Sequence, residues 1–139
     1  MFHPFAYDER HRTYSVHFSG TLTQQDMLAF DAAALECRDL LGPVHGLIDF
    51  SDVESVDVTT AQFVARATRP QIMVGQRRAI VANGLVFGLM RMFGVYQSRD
   101  GVEPMIVRTL PEAYEALGLV ADEFHPVALS TPLVSALPA

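Results

Sequence analysis

The chain has no lysine, no tryptophan and one cysteine, Cys37, among its 139 residues. A single cysteine excludes an internal disulfide and is typical of a protein that folds in the reducing cytoplasm. Every apolar run is shorter than the roughly 18 residues that a membrane-spanning helix needs. The first ten residues also lack the basic and apolar regions of a secretion signal. We therefore expect a cytoplasmic protein without a membrane span.

Positive charge is scarce as well. Sixteen Asp and Glu residues oppose ten arginines, which gives a formal net charge of −6. This balance argues against nucleic-acid binding, which needs a basic surface. The absence of lysine makes every cationic side chain a planar guanidinium, suited to carboxylate or phosphate. The composition, 50% hydrophobic and 19% charged, is that of one globular domain large enough to bury a core.

Motifs of catalysis and cofactor binding are missing too. The sequence contains no Walker loop, no Gly-x-Gly-x-x-Gly, no Gly-x-Ser-x-Gly and no His-Glu-x-x-His. The acidic stretch Asp49–Asp57 matches no calcium loop, and the five histidines form no ligand pattern, although His11 and His17 fall in one extended segment. We predict that the protein is not an enzyme and binds no cofactor or metal.

Hydrophobic periodicity predicts strands that alternate with helices after an opening hairpin. Tyr14, Val16 and Phe18 alternate with polar residues, which is typical of a strand with one buried face. The predicted strands are Phe5–Tyr7, Thr13–Phe18, Gly46–Phe50, Arg78–Ala82 and Pro104–Arg108, and the predicted helices cover residues 24–41, 59–69, 85–96 and 110–117. This order predicts an α/β fold, with a mixed sheet of about five strands, βαβ units and helices packed against the sheet.

Composition divides the chain into two parts. Residues 1–118 are predicted to form a single domain. Residues 119–139 form an apolar, proline-containing tail without charge after Glu123. We expect this tail to be irregular, and to pack on the domain, to lie at an interface or to be disordered.

Residues 47–60 hold the most informative pattern. An apolar strand runs out through Asp49, and Asp57 is then followed by Thr59 and Thr60 at the start of a helix. The segment Thr59-Thr60-Ala61-Gln62 matches a capping box, in which the threonine accepts a backbone hydrogen bond. A helix N-terminus also favours negative groups, so the same hydroxyls could face a phosphate or a partner's carboxylate. Both interpretations remain open from sequence.

This stretch resembles the signature segment of STAS domains, the bacterial anti-sigma-factor-antagonist family. In that pattern a hydrophobic strand ends in Asp, and Asp-Ser-Ser/Thr-Gly opens a helix after a short loop. Phe18–Thr23 is similar to the family's exit from the strand before the first long helix. Residues 77–81 and 111–117 resemble the related sporulation anti-sigma-antagonist-like family of small bacterial proteins. The resemblance covers about residues 5–118. It implies the STAS fold and a non-enzymatic role in regulation or protein interaction.

The resemblance places Thr59 at the position of the family's phosphoacceptor. Val58 stands where the pattern has its first hydroxyl, and Thr60 stands where it has glycine, which adds a side chain where a kinase would approach. The implied phosphoacceptor or partner loop comprises Asp52, Asp57, Thr59 and Thr60. The implied partner is a protein, such as a kinase or a regulator.

Two further groups of residues are candidates for contacts. The arginines Arg66, Arg69, Arg77 and Arg78 fall close together and are predicted either to contact an anion or acidic partner, or to be ordinary surface residues. The helix 85–96 is apolar nearly all round, and such a helix must be covered. Its candidate interface or ligand face consists of Leu85, Leu89, Met92, Phe93 and Tyr96. We predict that the tail or a second subunit of a homodimer covers it, with a lipid-like ligand carried there as the alternative.

Overall fold

The computed structural model describes residues 1–3, 5–97, 103–120 and 123–129, with the backbone alone at residues 95–97. Strands and helices alternate along these residues after an initial pair of strands. They are β1 (Ala6–Asp8), β2 (Thr13–Thr23), α1 (Gln24–Leu41), β3 (His45–Asp57), α2 (Thr60–Ala67), β4 (Arg78–Val81), α3 (Gly84–Gln97), β5 (Met105–Val107), α4 (Leu110–Leu117) and β6 (His125–Pro126). The predicted α/β class is confirmed.

The strands form one mixed sheet in the order β5-β4-β3-β2-β1-β6. Strands β2 to β5 run parallel, and the chain crosses between them through helices, as parallel neighbours require. Strand β1 is antiparallel to both of its neighbours, and the opening hairpin pairs Ala6 with Ser15. The mixed sheet with its opening hairpin is thus confirmed, with one strand more than expected.

The two faces of the sheet bury different cores. The main core lies against α1, α2 and α3 and includes Tyr14, Val16, Phe18, Ile48, Phe50 and Ile80 from the sheet. On the opposite face α4 covers a smaller cluster formed with Leu47, Ala79 and Val81. The alternation predicted for β2 is therefore confirmed. Burial of each large apolar side chain here contributes about 1.5–3 kcal/mol.

Three element boundaries differ most from expectation. Strand β2 continues to Thr23 instead of ending at Phe18, because residues 19–23 pair with β3. The sequence predicts that β3 ends at Phe50 before an acidic loop, but the strand continues to Asp57 because residues 52–57 pair with β2 across two register shifts. Helix α2 ends at Ala67 rather than Arg69, because Pro70 disfavours the helical conformation of the residue before it. The acidic stretch is therefore strand up to the last residues before α2.

The first part of the tail joins the sheet. His125–Pro126 forms β6 beside β1, and the Val127 N–H donates a hydrogen bond to the Phe5 carbonyl at 3.0 Å. Val127 and Leu129 pack against the main core. Residues 130–139 lie outside the described part of the chain. Within the described part, no helix is long and apolar enough to cross a membrane.

Candidate functional site

The N-terminus of α2 lies where β3 leaves the sheet. Thr59 is its N-cap, with an extended backbone, and its Oγ1 accepts a hydrogen bond from the Gln62 N–H at 3.1 Å. The Gln62 side-chain oxygen accepts in turn from the Thr59 N–H at 3.0 Å. The predicted capping box is confirmed. Thr59 and Thr60 are nevertheless both exposed, so the cap does not seal either residue in the interior.

The end of β3 carries the negative charge. Asp52, Glu54 and Asp57 are all exposed. Val58 is half-buried and packs against the main core, which explains an apolar residue where the STAS pattern has a hydroxyl. Residues 52–60 therefore present carboxylates and threonines side by side. We refer to residues 52–60 as the acidic surface.

A histidine pair adjoins the acidic surface. His17 Nε2 lies 2.7 Å from Asp52 Oδ2, and the His17 ring stacks on His3 with 4.8 Å between the ring centroids. His3 Nε2 lies 2.8 Å from Ser19 Oγ. Burial, reinforced by the neighbouring His17, lowers the pKa of His3. Sequence reasoning missed His3, because an isolated bridge from Phe2 to Phe18, outside the regular strands, brings it there.

His11 lies apart from His17, in the turn after β1. Its Nδ1 is 2.6 Å from Oδ2 of the buried Asp8 and 3.1 Å from Glu123 Oε2. The potential ligand atoms of these three residues lie within 4.8 Å of one another, a spacing that could hold a metal ion. His11 lies between the two carboxylates, and we interpret its contacts with both as a link that holds the tail against the first hairpin. The distant Glu123 could not be foreseen from the spacing of Asp8 and His11.

A cavity of about 330 Å³ opens between α1, the loop after α2 and the main face of the sheet. Most of its lining is apolar. The lining residues are Tyr14, Phe18, Met27, Phe30, Asp31, Ala34, Leu35, Ile48, Phe50, Arg66, Arg69, Pro70, Gln71, Ile72, Met73, Arg78, Ile80, Met90 and Phe93. The fold thus brings α1, α2 and α3 together around one concave site.

Three of the four arginines selected from sequence meet at this cavity. Arg66, Arg69 and Arg78 line it, whereas Arg77 does not. The backbone N–H of Arg77 instead donates a hydrogen bond to His45 Nδ1 at 2.9 Å. The pattern of arginines therefore pointed to a common location for three side chains but did not identify the cavity.

Arg66 is fixed by contacts on several sides. Its Nε and Nη2 donate hydrogen bonds to the two oxygens of Asp31 at 3.1 and 2.7 Å. Its guanidinium carbon lies 5.5 Å from the ring centroid of Phe30 and 5.4 Å from that of Phe93. A bidentate carboxylate and two aromatic rings restrict the orientation of a planar cation. Arg66 is thus a preorganised group at the cavity.

The apolar helix α3 is buried on one side. Phe93 is buried and lines the cavity, Leu89 and Met92 are half-buried, and Leu85 is exposed. The side chain of Tyr96 lies outside the described residues. The described part of the tail runs along β1, at the other end of the sheet from β5. The cover of α3 by the tail or a second subunit therefore stays a prediction.

Cys37 shows no sign of reactivity. It is fully buried in the main core, as its place on the apolar stripe of α1 predicts. Burial raises the pKa of its thiol to about 11. Because the thiolate is the nucleophilic form, this cysteine is inert near neutral pH.

No protein-family model and no curated protein matches this chain. A solved structure does match, that of an uncharacterised protein of the DUF3478 family with a SpoIIAA-like fold from Shewanella loihica PV-4. The TM-score is 0.53 at 18% sequence identity, over 84% of this chain and 93% of that one. The chain has the SpoIIAA-like fold. The STAS-type architecture expected from the sequence is thereby confirmed, while function must be argued from the site, because one fold hosts many functions.

Proposed function

We propose that the protein is a non-enzymatic STAS-like module of the bacterial cytoplasm, which binds a regulatory protein through the acidic surface. The observation that carries this proposal is the position of Thr59 and Thr60. Both are exposed at the N-terminus of α2, directly after a strand end that carries exposed carboxylates. This geometry supports an interaction that can be altered by modification of a threonine.

The charge of the acidic surface defines the chemistry of the partner. From Asp49 to Ala65 the sequence contains four carboxylates and no arginine. A complementary partner therefore presents Arg or Lys side chains, which favour fast association with the correct orientation. Such exposed charges are screened by salt. We expect the complex to weaken as ionic strength rises.

Phosphorylation would act on this surface without destroying the helix. A phosphate on Thr59 or Thr60 adds about two negative charges, and a helix N-terminus stabilises negative groups. The Thr60 hydroxyl makes no hydrogen bond to the described residues, whereas Thr59 Oγ1 holds the cap. The added charge next to Asp57 then strengthens the contact with a basic partner or repels an acidic one. The fold is retained in either case.

Capture of the partner with matched charge variants tests the interaction. One variant carries Asp52→Asn, Glu54→Gln and Asp57→Asn, and the control carries Glu9→Gln, Asp39→Asn and Glu115→Gln, which are exposed residues outside the acidic surface. The captured protein is identified, purified and titrated with each form. We expect the first variant to bind at least about tenfold more weakly and the control to bind as the parent does. Equal binding by all three forms would refute the proposed surface.

Phosphopeptide mapping of the protein from its own cells tests the switch separately. We expect phosphate on Thr59 or Thr60. Thr60→Ala removes one acceptor and leaves the cap intact, and Thr59→Ser keeps both the cap and an acceptor hydroxyl. Phosphate at another residue, or none under any growth condition, would remove the switch and leave the interaction to be judged by the charge variants.

A further inference from the structure

The cavity has the size and surface of a small-molecule site. Its floor includes Phe18 and Phe50, which stack with 4.9 Å between their centroids, and the aliphatic Ile48 and Ile80. The volume of about 330 Å³ lies near the lower limit of the roughly 300–1,000 Å³ typical of ligand pockets. A small amphiphile fits this space, and a lipid with two long chains does not.

The charge of the cavity is opposite to that of the whole chain. The protein has a net charge of −6. Among the described lining residues, however, Arg66, Arg69 and Arg78 face a single carboxylate, Asp31. Arg66 already binds Asp31 through both of its oxygens. The three lining guanidinium groups outnumber the one lining carboxylate, and this balance attracts an anion to the site.

Arg66 is oriented before any ligand enters. Two of its nitrogens donate to Asp31, and the ring centroids of Phe30 and Phe93 lie 5.5 and 5.4 Å from its guanidinium carbon. The third nitrogen, Nη1, donates to none of the described residues. It is thus available to a second carboxylate. Preorganised groups bind more tightly because less conformational entropy is lost on binding.

Arg78 adds a partly buried cation beside Arg66. Burial lowers the pKa of Arg78, and the positive charge of Arg66 acts in the same direction. A guanidinium stays protonated in proteins despite such a shift. Arg78 therefore contributes a permanent positive charge to the lining of the cavity.

We propose that this cavity binds a small amphipathic monocarboxylate, such as a medium-chain fatty acid. The chain of the ligand lies on the aromatic floor, and its carboxylate meets Arg66 and Arg69. A singly charged carboxylate fits better than a phosphate dianion, because Asp31 stays beside the head group and the apolar floor penalises further charge. The cavity is distinct from the acidic surface, so this proposal and the proposed function can fail independently.

The six methionines of the chain allow a direct test. Met27, Met73 and Met90 line the cavity, whereas Met1, Met92 and Met105 do not. With ¹³C-methyl-labelled methionine, titration of decanoate below its micelle concentration is expected to shift the first three signals and leave the others in place. Decanol, with the same chain and no charge, is expected to bind at least about tenfold more weakly. Unchanged signals for the three lining methionines, shifts of all six, or equal affinity for decanol would each refute the site.

Variants of the protein test where the carboxylate and the aliphatic chain of decanoate bind. Arg69→Gln changes an exposed residue at the cavity and is expected to weaken decanoate binding about ten- to a hundredfold, with decanol binding unchanged. Arg91→Gln removes the same charge from an exposed residue outside the cavity and serves as the control. Ala34→Leu fills the cavity and is expected to abolish binding of both compounds. Equal loss of decanoate binding in Arg69→Gln and Arg91→Gln would overturn the proposal, whether or not Ala34→Leu folds.

Discussion

Gly46 lies directly against the ring of Tyr14, its partner on the neighbouring strand: a Cβ at residue 46 would stand 2.5 Å from Tyr14 Cζ. Tyr14 is fully buried and stacks on Phe5 with 4.9 Å between the centroids, so its ring has no space to retreat. We expect Gly46→Ala to lower the free energy of unfolding by about 1–3 kcal/mol because of this overlap. Urea denaturation measures the change.

Gly88→Ala is the matched control for this substitution. Gly88 is an exposed residue inside α3, and a Cβ there would meet nothing within 4 Å. Since glycine weakens a helix interior, we expect Gly88→Ala to raise the free energy of unfolding by about 0.5–1 kcal/mol. If the Gly46→Ala protein were as stable as the parent, the ring of Tyr14 would not pack directly against residue 46 as described.

The cap of α2 can be separated from any regulatory role. Thr59→Ala removes the acceptor of the Gln62 N–H and is expected to lower the free energy of unfolding by about 1 kcal/mol. Thr59→Ser keeps the hydroxyl, and Thr60→Ala leaves the cap untouched, so both should stay close to the parent. Thermal denaturation of the three variants checks this order. A destabilised Thr60→Ala with a stable Thr59→Ala would contradict the assignment of the N-cap.

His3 gives the stability a defined dependence on pH. Burial, and then the neighbouring His17, lowers the pKa of His3 below its ordinary value of 6.5. The folded state therefore binds fewer protons than the unfolded state once the pH drops to this region. The contribution of His3 to the free energy of unfolding is fully present above about pH 6.5. It is lost as the pH falls from there towards the pKa of His3 in the folded protein. We expect His3→Gln to reduce the loss of stability on acidification.

Urea midpoints measured from neutral to mildly acidic pH, with an NMR titration of His3, test this dependence. His45 is a second histidine whose pKa is lowered, by burial and then by Arg77 and Arg12, and it remains in the His3→Gln variant. Part of the decline should therefore persist in that variant. A pKa of His3 above 6.5 would reverse the sign and exclude the proposed environment.

Truncation tests the role of the tail. Removing the residues after Glu123 deletes β6 and the core contacts of Val127 and Leu129. We expect the shortened protein to expose apolar surface, bind more hydrophobic dye and aggregate, whereas a chain that ends at Leu129 keeps β6. We further expect the full chain to sediment as a homodimer. If the protein truncated after Glu123 stays monomeric, soluble and stable, then neither the predicted role of the tail nor the predicted cover of α3 is correct.

Local signals in the sequence were sufficient to place α1 to α4 and to set the bounds of α1 and α4. Helix α1 begins after Thr23 and ends before Gly42 as predicted, because the groups that cap a helix lie within a few residues of its ends. The second half of β3 was missed, since its polar residues become a strand through pairing with β2, more than thirty residues earlier in the chain. The same limit applies to the candidate site. Arg66 could be selected as an anion contact, but its partner Asp31 and the cavity that both residues line depend on tertiary packing.

The pairing of β1 with β6 also determines when the fold can be completed during synthesis. Strand β1 is synthesised long before its outer partner β6, with all the other strands and helices of the sheet between them. The outer edge of β1 therefore stays unpaired on the ribosome until β6 has emerged. An unpaired edge is a template for another chain. Pauses in translation between β1 and β6 thus prolong the period in which neighbouring nascent chains can pair with one another.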